Sequence, residues 1–518
     1  MGRQALDYLV IGAGPAGTQL GYFLDRAGLD YAVVESGDSA GTTFRHFPRH
    51  RKMISINKPH TGWDDPERNL RMDWNSLLGD DMMPRFTEYT GKYFPHADDY
   101  VRYLDDFAVK HDLRIRYGTR IASLTRDGDF VATDQAGNTI TAKRVIVATG
   151  FGRTYTPPIP GIEHAESYAD VSVDPTEFAD KRVLIIGKGN SGFETADNLT
   201  EHAAIIHVLG PSSLKFAWRT HFIGHLRAVN NNFLDTYQLK TQNMVLDATI
   251  QRIEARDCEF HVTLSYARRP KTVTLVYDRV ISCTGFALDA AMFGAGAQPE
   301  LTINDRFPKL TSNWESVNVP DLYFAGTLTQ SRDFKKYTSA FIHGFRYSVR
   351  ALSHILRRRY EDTEWPSAEL TAEPAVLAEA ILARLNGNSA LFQQYGFLCD
   401  LIVVSGPTAR YYQEMPVDFV RDTEFGAAPC TIQLTLEYGA GHTSIDPFDV
   451  DAGREWEADP NNEDRYLHPV IRHYRNNEEV SVVHIPEHIY NDWTDEDEHR
   501  RPVREFIATA LAETPAIA

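Results

Sequence analysis

Two glycine-rich segments occur in the 518-residue chain, and each stands between an apolar run and a helical pattern. The first is Gly12-Ala-Gly-Pro-Ala-Gly17, and the second is Gly187-Lys-Gly-Asn-Ser-Gly192. A strand, a tight glycine turn and a helix in this order form a unit whose helix N-terminus binds a pyrophosphate. One such segment is a weak signal, but two in the same context predict two Rossmann-like dinucleotide-binding units.

The acidic position downstream of the glycines differs between the two units. Residues 31–35 form an apolar run that ends at Glu35, close to the offset of roughly 20 residues expected for a carboxylate that binds the adenosine ribose. The same offset from Gly187 reaches Gly210, where the sequence has no carboxylate. Hydroxyls and cations that could bind a 2′-phosphate follow it, namely Ser212, Ser213, Lys215 and Arg219. We therefore predict FAD at the first unit and NADPH at the second.

Three further apolar runs end in glycine. Residues 144–150 and 279–285 read as buried strands that end in Thr-Gly, one after each glycine segment. Residues 321–326 form another such strand, and a helical pattern follows over 337–356. The N-terminus of that helix could face the flavin, although an ordinary strand–loop–helix explains the pattern equally well. The predicted cofactor-binding residues are Gly12, Gly14, Pro15, Ala16, Gly17, Glu35, Gly150, Gly187, Gly189, Asn190, Ser191, Gly192, Ser212, Ser213, Lys215, Arg219, Gly285 and Gly326.

The length suggests about three domains. We predict an α/β protein in which residues 1–172 and 285–360 form a discontinuous FAD-binding domain and residues 173–284 form an NADPH-binding domain. The first domain carries a long insertion after Gly37. Trp63 and Trp74 in this insertion, with Trp218 later in the chain, could line a substrate cavity, although such residues more commonly lie in the core. Beyond residue 361 the pattern changes, and 361–518 reads as an α+β accessory domain.

Composition and charge exclude several classes of function. A net charge of −18 argues against nucleic-acid binding, and no apolar stretch approaches the roughly 20 residues of a membrane span. The four cysteines form no CxxC pair, and no histidine spacing predicts a metal site. The first strand begins without a preceding secretory signal, and the chain ends without a retention signal, so we expect a cytoplasmic protein. A homo-oligomer is left open.

With both glycine segments in this context, the chain resembles the flavin-containing monooxygenases of the two-dinucleotide flavoprotein superfamily. It is also similar, over most of its length, to endoplasmic-reticulum flavoproteins linked to protein degradation. The residues that carry this second resemblance are 47–57, 161–168, 189–196, 234–240, 341–347 and 468–471. Within them, His164 and Tyr168 keep the spacing of a histidine and an aromatic residue that precedes the second nucleotide motif in the monooxygenases.

The resemblance implies a reaction. NADPH would reduce the flavin, oxygen would add to it as a hydroperoxide, and this would hydroxylate a nitrogen or sulfur of a small molecule such as an amine or amino acid. Asn57 falls where the family has an asparagine close to the flavin, although a loop asparagine that satisfies its own backbone would give the same pattern. Two alternatives stay open: a reductase of a disulfide, quinone or partner protein, and a redox sensor that binds a partner.

Overall fold

In the computed structural model, which describes residues 5–79, 84–239, 243–439, 441–443, 446 and 466–513, the first glycine turn follows a strand inside a seven-stranded sheet. Lys240, the last residue of one stretch on which the resemblance depends, lies outside these ranges. The two chain ends, from which the location was predicted, lie outside them as well.

The first sheet is parallel around the glycine turn. Its strands are, in spatial order, Ile115–Arg116, Tyr31–Val34, Leu6–Ile11, Thr139–Val147, Asp129–Asp134 and Ile121–Asp127, and Leu322–Phe324 also pairs with Thr139–Val147. The last two strands of the order are antiparallel. The central strands read as continuous apolar runs because both of their faces are buried.

The second sheet repeats this plan around the second glycine turn. Its order is Thr272–Tyr277, Glu259–Tyr266, Met244–Arg256, Ile205–Gly210, Arg182–Ile186, Arg279–Ser282 and Glu166–Ser167. Arg279–Ser282 pairs in parallel with Arg182–Ile186, as Thr139–Val147 pairs with Leu6–Ile11 in the first sheet. The runs ending in Thr-Gly thus occupy equivalent places. Glu166–Ser167 joins this sheet, although it precedes the boundary expected at residue 173.

A third sheet is antiparallel and lies in the C-terminal part of the chain. Its order is Ser367–Thr371, Thr408–Pro416, Leu398–Ser405, Thr431–Glu437, His468–Arg475 and Glu478–His484. Two short antiparallel pairs complete the strands: Arg153–Thr154 with Phe286–Ala287, and Leu301–Thr302 with Phe307–Pro308. The first of these pairs joins the two segments that pass between the nucleotide-binding sheets.

Among the described residues, six helices have ten or more residues. They are α1 (Pro15–Arg26), α2 (Ala97–Lys110), α3 (Asn190–Leu199), α4 (Ile342–Tyr360), α5 (Pro374–Gly387) and α6 (Arg501–Ala512). Short α-helical segments are Thr43–His46, Pro66–Asn69, Ala217–Thr220, Phe233–Gln238, Ala390–Gln393 and Val417–Asp422. Short 3₁₀ segments are Phe86–Glu88, Ile162–His164, Pro175–Phe178, Ala228–Asn230, Ala290–Met292 and Gly326–Arg332, and Glu496–Arg500 is a π-helical turn.

The helix predicted over 337–356 begins and ends later in the structure. It is α4, which starts at Ile342 and continues to Tyr360. The preceding residues form turns because the Asp333 carboxylate accepts a hydrogen bond from Ser339 N at 3.0 Å. Gly326 therefore leads into the 3₁₀ segment Gly326–Arg332 before the chain reaches α4. Local side-chain hydrogen bonding overrides the helical periodicity of residues 337–341.

Candidate functional site

The first glycine turn has the geometry of a pyrophosphate cradle. Gly12 has φ +105°, and a Cβ at this position would lie 2.7 Å from the carbonyl oxygen of Ala148. A Cβ at Gly17 would overlap the Gly12 carbonyl, whereas Gly14 has open space beside it. α1 begins after Gly14, with Pro15 in its first turn and no side chain capping its N–H groups. These residues fit the FAD pyrophosphate, because the backbone is open where the anion would bind.

Glu35 lies at the end of the neighbouring strand and is nearly buried. One carboxylate oxygen accepts a hydrogen bond from Ala13 N at 2.8 Å, and the other accepts one from Gly37 N at 2.9 Å. The carboxylate therefore links the glycine turn to the loop after the second strand. Ser36 Oγ also donates to the oxygen that Gly37 N binds, at 3.2 Å. The oxygen bound by Ala13 N has a further lone pair, so Glu35 can still accept a hydrogen bond from a ribose hydroxyl.

The two other glycines predicted for the first unit flank this turn. Gly326 has φ +73°, and a Cβ there would lie 2.7 Å from the Ala16 Cβ. Gly150 has φ +62° and would place a Cβ 3.5 Å from Oγ1 of Thr327, the residue after Gly326. The structure thus brings Ala16, Gly150 and Gly326 together beside the first glycine turn.

The second glycine turn repeats this geometry. Gly187 has φ +121°, and a Cβ there or at Gly192 would overlap the carbonyl oxygen of Cys283 or of Gly187, respectively. Gly189 is open and precedes α3, which again has no side-chain cap. The close approach of Gly187 to Cys283 matches that of Gly12 to Ala148. Gly285 follows on the neighbouring strand with φ +88°, near the Arg306 guanidinium.

Asn190 and Ser191 are the first two residues of α3, and the Asn190 side chain forms hydrogen bonds with a neighbouring loop. Its Nδ2 donates to His225 O at 2.9 Å, and its Oδ1 accepts a hydrogen bond from Arg227 N at 3.0 Å. Asn190 therefore ties the loop around residues 224–227 to the second glycine turn. Ser191 accepts a hydrogen bond from Thr195 Oγ1 through its carbonyl oxygen.

The structure places a carboxylate beside Gly210, although the sequence has no carboxylate at this position of the second unit. Asp247 on the next strand is in register with Gly210, and it forms a salt bridge with Lys188 of the glycine turn. The hydrogen bond from Lys188 lowers the pKa of Asp247. Ser213 Oγ donates to Asp247 at 3.3 Å, and Lys188 Nζ donates to Ser212 O at 3.0 Å.

The two predicted cations of this region lie at the surface. Lys215 and Arg219 are exposed, and Arg219 is in the short helix Ala217–Thr220. The geometry thus gathers Ser212 and Ser213 with Lys188 and Asp247, whereas Lys215 and Arg219 lie further along the same loop.

Asn57 is fully buried and its amide is oriented by the backbone. Nδ2 donates to Thr90 O at 2.7 Å and to Lys92 O at 3.3 Å, while Oδ1 is buried without a hydrogen-bond partner among the described residues. Both N–H groups of the amide are thus engaged. The atom that remains available to a ligand is Oδ1, which can accept a hydrogen bond from an N–H or O–H group.

An aromatic and cationic cluster lies next to Asn57. Asn57 is bridged to Asp73, and Trp74 follows with its ring stacked 4.2 Å from the His343 ring. Arg227 lies 5.4 Å from the Trp74 centroid on a loop of the second unit. Burial lowers the pKa of His343 well below its usual value, so this side chain is neutral. We call Asn57, Trp74, Arg227 and His343 the Asn57 cluster.

The helices of the first unit hold this insertion in place. The Gln19 amide on α1 donates to Leu78 O at 2.7 Å and accepts a hydrogen bond from Leu78 N at 2.5 Å. The fully buried Arg346 on α4 donates to the carbonyl oxygens of Leu70, Asp73 and Ser76 at 2.7–2.9 Å. Because α1 starts at the first glycine turn, the Asn57 cluster is attached to the helices of the FAD unit.

The architecture and the two glycine turns define a flavoprotein with two dinucleotide-binding units, similar to the flavin-containing monooxygenases. Residues 9–326 match the family described as pyridine nucleotide-disulphide oxidoreductase, and the chain belongs to this family. It is an FAD-dependent oxidoreductase.

A relative supports this assignment, and two solved structures share the fold. The chain is 35% identical to FAD-dependent oxidoreductase domain-containing protein 2 of Mus musculus, over 98% of this chain and 84% of the relative. A flavin-containing monooxygenase from Stenotrophomonas maltophilia has the same fold, with a TM-score of 0.54, 22% identity and coverage of 69% of this chain and 99% of that one. The bacillithiol disulfide reductase Bdr from Staphylococcus aureus also shares it, with a TM-score of 0.52, 19% identity and coverage of 69% and 100%.

Among the residues that the structure describes, no helix is long and apolar enough to cross a membrane. In the same ranges, no group of three or more histidine, cysteine, aspartate or glutamate side chains is arranged to hold a metal ion.

Sequence reasoning missed three residues of these sites. Asp247 could not be found because its approach to Gly210 depends on the pairing of two strands. Arg227 lies beyond the pattern of the second glycine segment, and only docking of its loop brings it to Trp74. His343 could have been noticed, because it lies within residues 341–347, one of the stretches that resemble the endoplasmic-reticulum flavoproteins.

Proposed function

We propose that this protein is an NADPH-consuming monooxygenase that oxygenates a nitrogen or sulfur atom of a small molecule. When bound, FAD accepts hydride from the nicotinamide and activates molecular oxygen. The observation that carries the proposal is the buried Asn57 amide, whose Oδ1 has no partner among the described residues. A buried acceptor of this kind is costly unless a ligand supplies a donor.

The surroundings of Asn57 suit a reaction from which water must be excluded. The amide cannot turn freely, because Thr90 O and Lys92 O hold its two N–H groups. Trp74 lies on the segment paired with Asn57, and its ring stacks on the buried His343. A fixed acceptor among apolar rings orients a proton-bearing group and keeps solvent from it. We assign Asn57 this catalytic role.

NADPH is the nucleotide we propose for the second unit. Lys188 neutralises Asp247, so the carboxylate beside Gly210 does not face the nucleotide unpaired. The hydroxyls of Ser212 and Ser213 and the cations Lys215 and Arg219 then supply donors for a 2′-phosphate. The further partners in the proposal are molecular oxygen and the small-molecule substrate.

The alternative reaction is reduction of a disulfide, quinone or partner protein without oxygen insertion. Its disulfide form needs a reactive thiol pair. Burial raises the pKa of Cys283 to about 12, and it raises that of Cys399 as well. Cys258 is exposed, but the sequence has no second cysteine near it. These thiols favour oxygenation over disulfide reduction.

Rapid mixing distinguishes the reactions. The purified holoprotein is reduced with NADPH without oxygen, mixed with oxygenated buffer, and followed by absorption of the flavin together with the hydrogen peroxide released. We expect a near-ultraviolet absorption band that persists before the oxidised spectrum returns. Immediate reoxidation with one hydrogen peroxide per NADPH would contradict the proposal and favour the reductase. Failure of NADPH to reduce the protein would contradict both and favour a redox sensor.

A further inference from the structure

Arg227 connects the two nucleotide-binding units through the Asn57 cluster. Its backbone belongs to the second unit, but Nη1 donates to Ile54 O at 2.9 Å, in the insertion of the first unit. The guanidinium also lies over the Trp74 ring. Both Arg227 and Trp74 are partly exposed, so a ligand can reach them.

The charge of Arg227 has no acidic partner in the described part of the chain. No carboxylate oxygen in those ranges lies within 4.0 Å of its guanidinium. Burial lowers the pKa of Arg227, and the neighbouring Tyr93 opposes this shift only in part. An arginine nevertheless keeps its charge in a protein. A half-buried cation without a counter-ion is unfavourable until a ligand brings one.

The position of Arg227 is held from behind by the second glycine segment. Asn190 Oδ1 accepts a hydrogen bond from Arg227 N, and Asn230 Nδ2 donates to the same oxygen at 3.1 Å. These bonds fix the backbone of Arg227, and the bond from Nη1 to Ile54 O restrains its guanidinium before any ligand binds, which reduces the entropy lost on binding.

The location of the charge relative to Asn57 indicates the ligand. Arg227 contacts Ile54 and Trp74. The segments of these two residues pair beside Asn57, where Trp74 N donates to Ile56 O at 3.0 Å. The cation therefore lies against the two segments that flank Asn57, where we propose the substrate is oxygenated. A guanidinium binds the two oxygens of a carboxylate with parallel hydrogen bonds.

We propose that Arg227 binds the carboxylate of the substrate, so that the substrate is a small organic acid or amino acid with its oxidisable atom toward Asn57. This inference names the substrate class of the function proposed above and depends on it for the reaction. The same oxyanion chemistry could come from a phosphate of the nicotinamide nucleotide, and the experiment separates the two sources.

Calorimetric titration of the oxidised holoprotein provides the test. The probes are phenylacetate and hexanoate, each compared with its own amide, which has nearly the same shape without the charge. The variants are Arg227→Gln and Arg227→Lys. We expect the wild-type protein to bind at least one carboxylate more tightly than its amide. We expect Arg227→Gln to lower the affinity for that carboxylate about tenfold or more, and the affinity for the amide less than twofold. Arg227→Lys should partly restore the affinity for the carboxylate.

Arg256→Gln is the matched control. Arg256 is an exposed arginine that pairs with Glu254 at 2.8 Å, and its loss should change no affinity. Flavin content and thermal unfolding of every variant establish that the fold is kept, and Arg227→Lys serves if the glutamine variant does not fold. The NADPH concentration that half-saturates flavin reduction should change less than twofold in the Arg227 variants.

Three results would overturn the assignment. The first is that neither carboxylate binds the wild-type protein better than its amide. The second is an equal loss of carboxylate and amide in Arg227→Gln. The third is weaker binding of NADPH with unchanged carboxylate binding, which would indicate that Arg227 binds a phosphate of the nucleotide. The titration needs neither NADPH nor oxygen, so its outcome is independent of whether the protein is a monooxygenase.

Discussion

The phenol of Tyr168 donates a hydrogen bond to the carboxylate of Glu194 on α3, and it also accepts one from Arg49 N at 3.3 Å. Tyr168 stacks on Phe47, so the same ring contacts the insertion of the FAD unit. This contact joins α3, the helix that follows the second glycine turn, to the neighbouring unit. Burial raises the pKa of Glu194 to about 7, although the bond from Tyr168 opposes the shift.

The raised pKa of Glu194 predicts a pH dependence of stability. The folded protein holds this proton more tightly than the unfolded chain, so folding is favoured below the usual pKa of a glutamate and loses free energy as the pH rises toward 7. The shift corresponds to a loss on the order of 3 kcal/mol. Glu194→Gln should remove this loss and make the variant more stable than the wild type at pH 8, but not at pH 4.5.

Urea unfolding at both pH values measures this difference. Glu201→Gln, an exposed glutamate just beyond α3, is the control and should follow the wild type. A Glu194→Gln variant whose stability relative to the wild type does not change with pH would contradict the assignment.

The first glycine turn predicts two different defects. Gly12→Ala places a Cβ at positive φ and against Ala148 O, so it should destabilise the folded protein by about 2 kcal/mol or more and abolish FAD retention. Gly14→Ala has open space, so it should fold normally and bind FAD more weakly, because the added methyl meets the pyrophosphate. Thermal unfolding of the apoprotein and flavin content after purification measure both effects. Gly91→Ala, at an open surface position, is the control; normal FAD content in Gly14→Ala would disprove the cradle.

Discrimination between NADPH and NADH tests the second unit. Arg219→Ala removes a charge that we propose binds the 2′-phosphate. The half-saturating concentration of NADPH should therefore rise about tenfold, while that of NADH is unchanged. Steady-state NAD(P)H oxidation gives both values, and Arg256→Ala controls for loss of surface charge. Equal weakening of the two nucleotides would rule out the 2′-phosphate role of Arg219.

Coupling of NADPH use to oxygenation tests Asn57. Asn57→Ala removes the fixed Oδ1 acceptor, so more hydrogen peroxide should be released per NADPH oxidised, with flavin reduction unchanged. The measurement is the ratio of peroxide to NADPH in the presence of oxygen. Ser55→Ala is the neighbouring control, because Ser55 Oγ donates to Asn75 and not to Asn57. An unchanged ratio in Asn57→Ala would exclude the proposed role.

The helix after Gly326 shows where sequence reasoning failed. Helical periodicity predicted a start at residue 337, but the Asp333 carboxylate captures Ser339 N and the helix begins at Ile342. Periodicity records which residues face the core, and it does not record a hydrogen bond between a side chain and a backbone N–H six residues later.

The sequence by itself determined the two glycine turns. Each depends on contacts between residues close in the chain, on positive φ values that favour glycine, and on apolar runs that form buried strands. Glu35 could be named as a candidate because it follows the strand after α1 at the expected offset from Gly12, and in the structure it binds Ala13 N.

Only the tertiary structure decided what surrounds those turns. Strand pairing brings Asp247 to Gly210, and docking of the two units brings Arg227 from the second unit to Trp74 in the insertion of the first. Neither pair shares a periodic pattern, because such contacts arise from the register of a sheet and the packing of whole units. Asp247 beside the second glycine turn and Arg227, which we propose binds the substrate, are therefore visible only in the folded chain, whereas Ser212, Ser213, Lys215 and Arg219 were named from the sequence.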